Sequence, residues 1–340
     1  MVINFVAPHL KIAGGTRIIL NYANLLAKRG HKVFVYVTIR NFLKRTLFNF
    51  VNKKPRWIDN FQPKVIWVPD FQERFVKRGD AIIVTSVKAA SYVNDYSDKA
   101  GKKFYIIQHD EGLYHSSREE ADKTYKMPFE QIVVSSWLKE IMKEKFGKEA
   151  HLLLNPIDRE QFKPLGRTFD KVSIRILLLD HDYEWKGTKE GVEIVNELKE
   201  KYQNAKLILF GARRKEPPYK YDEYYYNLPQ NKLAWLYSNS DIYLCPSWDE
   251  GSGLPSMEAM ACKCALVTYD NGGSRDYAFD GKTAMVAERR NIEMLKAKLE
   301  ELIQNPELRK KIAEDGYRQI MSMPTWEEQT TKLEKILQNA

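Results

Sequence analysis

Short apolar runs alternate along this chain with longer stretches whose apolar residues recur at three-to-four spacing. The runs at 2–7, 33–37, 65–68, 81–85, 104–107 and 132–134 read as buried strands. A second set, at 173–179, 206–210 and 242–245, reads the same way. Between the first two runs, Ile18, Ile19, Tyr22, Leu25 and Leu26 fall on one helical face over 18–28, and Gly30 ends that helix. Gly14 and Gly15 read as the tight turn before it. Strand, glycine turn, helix, strand is the opening of a doubly wound parallel domain. The turn lacks the full G-x-G-x-x-G spacing, so a dinucleotide fingerprint is not indicated. Helical periodicity returns at 291–304 and 306–322, and Trp326 begins a last helix.

The length of 340 residues exceeds one ordinary core and suits two domains. Pro156, Pro164 and Gly166 mark a linker across 155–170. The expected organisation is a first domain over 1–165, a second over 166–324, and a terminal helix over 325–340. The expected class is α/β, with two Rossmann-like halves.

The chemistry concentrates at 241–261, DIYLCPSWDEGSGLPSMEAMA. A strand over 242–245 ends at Pro246. Residues 249–253 form an acidic, glycine-rich turn. A helix begins near Pro255, placed as its first residue because proline needs no N–H there. The free N–H groups of Gly251, Ser252, Gly253 and Leu254 and the positive helix end make an anion site. Glu250 and Glu258 flank it. Carboxylates beside an anion site suit a ligand that carries hydroxyls as well as phosphate. On spacing alone a second reading stands equally: Glu258 complements the helix dipole and Glu250 is a solvated loop acid.

Glu250 and Glu258 form E-x7-E within EGSGLPSMEAMA, which resembles the motif of retaining family-4 glycosyltransferases of GT-B fold. Downstream, ALVTYDNGGSRDYAFDGKTAMV resembles the family's strand, glycine pair and closing "dG-x-x-G", with Ala284 in place of the last glycine. VVSSWLKE (133–140), LLLNPIDREQFKP (152–164) and the N-terminal APHLKIAGGTRIILNYANLLAKRGHKV extend the likeness over nearly the whole chain. The resemblance implies two domains facing across a cleft, with the last helix crossing back to the first domain. It implies that Glu258 holds the ribose hydroxyls of a nucleotide-sugar and Glu250 those of the sugar. Lys186, Gly14, Gly15 and the 251–254 backbone would bind the diphosphate. His109, in QHDEGLYH after the fifth run, matches a histidine that contacts the transferred sugar; its plain alternative is a locally bonded loop residue. No cofactor and no metal are implied, because the nucleotide-sugar is itself a substrate. The arginine usual before Lys186 is missing, and Leu179, Asp180 and His181 stand there; Arg213 or His181 would have to compensate. Asp180 and Asp182 form a D-x-D, a metal-site pattern of a different transferase fold, and the rest of the chain does not follow it.

Composition adds a location and a partner class. Residues 1–165 carry 28 Lys and Arg against 17 Asp and Glu, whereas the rest carries 26 against 28. A basic first half points to an anionic partner. Within IRNFLKRTLFNFVNKKPRW (39–57), Ile39, Phe42, Leu43, Leu47, Phe50 and Val51 share one helical face, and Phe48 lies off it. Arg40, Lys44, Arg45, Lys53, Lys54 and Arg56 accompany them without an acid. Such a stripe either lies on an anionic membrane or packs on its own domain. The three cysteines, Cys245, Cys262 and Cys264, an odd number, read as reduced core and surface thiols. The chain opens on a strand-like run, so the expected place is the cytoplasm, peripherally on the inner face of its membrane. The tyrosines at 219, 221 and 224–226 read as a tyrosine-rich surface loop or as a stacking platform.

The expected activity is therefore sugar transfer, with retention, from a nucleotide-sugar to a glycan, lipid-linked or protein acceptor, in cell-surface polysaccharide or glycoconjugate assembly. Nucleic acid is the less fitting partner. The rivals are a nucleotide-sugar epimerase on the same fold and a non-catalytic membrane- or nucleic-acid-binding module. A phosphorylase would need a cofactor-lysine motif that the chain does not show.

Overall fold

The computed structural model describes residues 1–11, 13–113, 117–166, 168, 172–212 and 216–339. The chain divides into two compact units, Met1–Asn155 with Glu327–Ala340, and Pro156–Trp326.

The first unit is built on seven parallel strands: β1 (Val2–Val6), β2 (Lys32–Thr38), β3 (Lys64–Val68), β4 (Ala81–Val84), β5 (Lys102–Ile107), β6 (Glu130–Val133) and β7 (His151–Leu152). Their order is β3-β2-β1-β4-β5-β6-β7. β1 pairs with both β2 and β4, so the strand order reverses there, and ligands of open α/β sheets bind outside the carboxyl ends at such a point. Val35, Ile83, Ile106 and Val133 are fully buried between the covering layers, which is why these strands read as unbroken apolar runs. β7 has two residues, too few to show a period.

The helix Gly14–Lys28 starts at the glycine pair itself, which corrects the expected turn. Ala13 before it is extended and has no side chain that could cap the helix. A β-carbon at Gly15 would meet the Gln108 amide at 3.0–3.2 Å. The pair therefore permits a close approach between the first helix and the residue after β5. The helix Trp326–Asn339 belongs to this unit from Glu327 onward. It buries Leu333, Ile336 and Leu337, and Arg29 donates to Glu334 at 2.8 Å.

The second unit carries β8 (Ile174–Leu179), β9 (Ala205–Gly211), β10 (Glu223–Tyr226), β11 (Ile242–Cys245), β12 (Ala265–Tyr269) and β13 (Met285–Ala287), in the order β10-β9-β8-β11-β12-β13. Here the order reverses between β8 and β11. The helix Thr188–Lys201 lays Val192, Val195 and Leu198 on the sheet. Cys245, Cys262 and Cys264 are all buried and outside any disulfide, so none is a surface thiol. Among the described residues no helix is long and apolar enough to cross a membrane.

The tyrosine cluster departs from the loop reading. Tyr224, Tyr225 and Tyr226 form the edge strand β10, in register with Leu209, Phe210 and Gly211. Aromatic residues suit a half-buried pleated surface, and β9 supplies the hydrogen bonds. The edge is held by Arg175, a buried residue of β8, which donates to both Glu223 carboxylate oxygens at 2.6 and 2.9 Å. That contact holds the Glu223 carboxyl below its usual range. Glu223→Ala is expected to lower unfolding free energy by about 3 kcal/mol, because a buried guanidinium loses its counter-charge. Urea denaturation at pH 7 measures this. A depressed carboxylate pKa stabilises fully above its unfolded value, so the gap between wild type and variant should close as pH falls through the folded one. A loss of only a few tenths of a kcal/mol at pH 7 would reduce the pair to a surface contact.

Candidate active site

β11 delivers the chain to its carboxyl end beside β8, at the reversal of strand order. Pro246 stops the strand, and the loop to Gly253 folds back against a second loop after β12. Glu250 donates its N–H to the Asn271 carbonyl at 2.9 Å and bridges Gly272. A β-carbon at Gly273 would stand 2.7 Å from the backbone of residues 250–252, so only glycine admits this crossing. Gly253 takes the left-handed conformation, φ 71°, and caps the helix Leu254–Ala261 without a side chain. Leu254 is the first helical residue and Pro255 the second, one later than the position expected for proline. The Tyr277 hydroxyl donates to the Gly253 carbonyl at 3.3 Å. Burial pushes the Tyr277 pKa well up, so this group remains a donor.

The two glutamates of E-x7-E are both buried, at 9% and 3% exposure, which rules out solvated surface acids. Glu250 accepts from Lys186 Nζ at 2.6 Å. Glu258 accepts from the Tyr237 hydroxyl at 3.2 Å. Lys186 ends a short 3₁₀ turn, and Gly187, at φ 65°, starts the helix Thr188–Lys201 packed against Pro246. The fold thus brings Lys186, Glu250 and the 251–254 backbone into one cluster from two strand ends. The space enclosed between Lys186, Glu250, Pro255 and Ser256 is about 10 Å³, room for one water, so any larger ligand lies on the outer side of these loops.

The structure separates the members of the D-x-D. Asp180 is buried and accepts from the Tyr224 hydroxyl at 3.4 Å, whereas Asp182 is exposed. The His181 ring accepts the Tyr183 N–H at 3.1 Å and packs on the Tyr183 ring, which stacks on Trp185 at 4.2 Å. Arg213 lies outside the described residues.

In the first unit, His109 follows β5 and is half-buried, its Nδ1 3.1 Å from the Asp110 carbonyl. The acids beside it hold the loop. Asp110 accepts from Arg118 at 2.6 Å, and Glu111 accepts from the Val87 N–H and the Tyr105 hydroxyl, both at 3.0 Å. Burial raises the Glu111 carboxyl above its usual range. Gln108, directly before His109, lies against Gly15.

The stripe residues of 39–57 belong to a separate feature of this unit. The helix Phe42–Phe50 buries none of its residues. Phe42, Leu43, Leu47 and Phe50 are 66%, 76%, 54% and 87% exposed. Phe48, off the stripe, packs on Trp67 at 4.9 Å instead. Lys44 donates its N–H to the Asn41 cap, and Arg45 stacks over Phe42 and donates to the Ile39 carbonyl.

Sequence reasoning did not single out Tyr237, Asn271 or Tyr277. Tyr237 and Tyr277 are buried tyrosines whose hydroxyls required partners. Asn271 precedes a glycine pair, a turn signal that was readable.

Two doubly wound parallel sheets with loops converging at their reversal points define a protein of GT-B fold. The Anabaena HepE structure in complex with UDP-glucose superposes with a TM-score of 0.77 over 100% of both chains at 14% identity, a likeness of fold alone. Residues 168–319, all within the second unit, match the family described as glycosyl transferases group 1, so that unit carries a domain of this family. The capsular polysaccharide biosynthesis glycosyltransferase CapM of Staphylococcus aureus is 27% identical over 157 residues, 42% of this chain and 41% of its own. The N,N'-diacetylbacillosaminyl-diphospho-undecaprenol alpha-1,3-N-acetylgalactosaminyltransferase of Campylobacter jejuni is 27% identical over 147 residues, 42% of this chain and 38% of its own. This chain spans less than half the length of each of these relatives.

Proposed function

We propose that this protein is a retaining, family-4 glycosyltransferase that binds its nucleotide-sugar on the second unit. The observation that carries the reading is the ion pair at 2.6 Å between half-buried Lys186 and buried Glu250, beside a glycine-rich loop that opens a helix holding a second buried glutamate. The 251–254 N–H groups and Lys186 face diphosphate, Glu258 the ribose hydroxyls and Glu250 the sugar hydroxyls. The acceptor hydroxyl attacks the anomeric carbon as the bond to the nucleoside diphosphate breaks, and a donor phosphate oxygen takes the acceptor's proton. Stabilising charge on the leaving diphosphate is then the main catalytic task. His109 contacts the transferred sugar, and Gly14 and Gly15 allow the donor phosphate to approach. The names of CapM and of the Campylobacter enzyme support a role in polysaccharide or glycoconjugate assembly. A thermal-shift screen against UDP, GDP and dTDP sugars tests the donor, since a specific ligand raises the melting temperature by mass action. Slow hydrolysis of the selected donor without acceptor separates an enzyme from a binding module; a chain that neither binds nor hydrolyses any of them sinks the reading.

Metal independence belongs to the same proposal. Lys186 and the helix end supply the positive charge that a divalent cation would otherwise bring. Turnover is expected to stay within about twofold after EDTA treatment, well under the ~1.4 kcal/mol that marks a tenfold change. Abolition by chelation with rescue by magnesium or manganese would return Asp180 and Asp182 to consideration.

A further inference from the structure

The first unit holds a concave site that donor binding does not use. A groove of about 460 Å³ lies at the carboxyl ends of β1, β2 and β3. Trp67 forms part of its wall, and Lys11, Lys53, Lys54 and Arg56 line it without a single carboxylate. The first acidic residue of the chain is Asp59. Lys54 Nζ is fixed by the Phe61 carbonyl at 2.7 Å, and Lys53 lies 5.9 Å from the Phe48 ring. Neither contact neutralises charge. His9, also in the wall, is 3.3 Å from Thr16 Oγ1, in the first turn of the helix Gly14–Lys28, whose start has no side-chain cap. Four like charges gathered in one groove repel one another, and an anion with two or more oxygens relieves that repulsion.

The neighbouring helix adds a second property. Asn49 exchanges hydrogen bonds with the Trp67 backbone at 2.8 and 2.9 Å, and Phe48 packs on the Trp67 ring. These contacts fix the helix Phe42–Phe50 to the strand that walls the groove, and its apolar stripe remains exposed. Lys53 and Lys54 follow that helix directly. A nucleic acid would satisfy the charges and leave Phe42, Leu43, Leu47 and Phe50 in water. A lipid carrying a phosphate satisfies both.

We propose that this groove binds the phosphate or diphosphate of a lipid-linked acceptor while the Phe42–Phe50 stripe beds in the same bilayer. The proposal rests on the glycosyl-transfer reading and names its acceptor class. Lys11 and Arg56 bind the phosphate oxygens, and the hydrocarbon leaves along the stripe.

The test is calorimetry on the full chain with farnesyl diphosphate below its aggregation concentration, in the presence and absence of the nucleotide selected by thermal shift. Farnesyl diphosphate is expected to bind and farnesol to give no signal. Lys11→Gln with Arg56→Gln should weaken the diphosphate at least about tenfold, the smallest effect of losing a charged hydrogen bond. Phe42→Ser with Leu43→Ser should abolish sedimentation with phosphatidylglycerol vesicles and leave inorganic pyrophosphate affinity within twofold, because the stripe meets the hydrocarbon and the groove meets the phosphate. Unchanged affinity in the groove variant, equal binding of farnesol, or inorganic pyrophosphate binding as tightly as the lipid would each overturn the proposal. Displacement of the probe by a single-stranded oligonucleotide, or loss of pyrophosphate binding in the helix variant, would do the same. Nucleotide affinity measured alongside distinguishes the two failures: if it persists, only the acceptor site falls.

Discussion

Replacing Glu250 by glutamine lowers the turnover number by about 10²–10³-fold, the effect of removing one preorganised charge-stabilising group, and changes nucleoside diphosphate affinity far less. Glutamine keeps the shape and removes the charge that holds Lys186 Nζ at 2.6 Å. Glu250 is buried and Lys186 half-buried, so solvent replaces the carboxylate's charge only in part, and the ammonium loses its fixed place beside the leaving diphosphate. The sugar hydroxyls also lose a carboxylate acceptor. Initial-rate kinetics with the donor chosen by thermal shift read the turnover, and calorimetry with the free nucleoside diphosphate reads affinity. A variant with wild-type turnover would leave Glu250 as a structural partner of Lys186. Loss of turnover and nucleotide affinity in equal measure would move Glu250 from the sugar to the phosphate side of the donor.

Glu258→Ala produces the opposite split: nucleotide affinity falls by about 1.5–3 kcal/mol, roughly 10–150-fold, as expected for a carboxylate that bonds ribose hydroxyls. The substitution also strips the Tyr237 hydroxyl of its acceptor at 3.2 Å, and a buried hydroxyl without a partner costs stability of its own. Tyr237→Phe separates the two effects. It removes the hydroxyl and leaves the Glu258 side chain in place, so nucleotide affinity should stay within a few-fold of wild type. Equal loss of affinity in both variants would make Glu258 a support for the helix. Unchanged affinity in Glu258→Ala would end the ribose assignment.

The strand, loop and helix of the candidate site were legible because they are close in sequence. Strand, glycine-rich loop and helix at 242–261 follow one another within about twenty residues, and local rules govern each: proline stops the strand, Gly253 supplies a left-handed backbone, and Pro255 fits a helix start. The fold class was legible for a similar reason, since strands buried on both faces announce themselves as apolar runs. The edge strand β10 was not, because tyrosines carry no period that separates a half-buried strand from a loop. The glycine pair at 14–15 was placed in a turn because glycine signals turns in general; the reason for it here is Gln108, more than ninety residues away.

By itself, then, the sequence determined two parallel α/β halves and the glycine-rich loop between a strand and a helix, with Glu250 and Glu258 on either side of it. Tertiary structure alone decided that Lys186 and the buried Glu250, sixty-four positions apart, form an ion pair, and that Tyr237 anchors Glu258. It also decided that the apolar face of the 39–57 stripe does not pack on the first unit: it is exposed, and Phe48, off the stripe, is the residue that packs. Periodicity specifies which side chains share a face of a helix. Which face meets the sheet depends on where Trp67 and Asn49 come together, and long-range packing sets that contact.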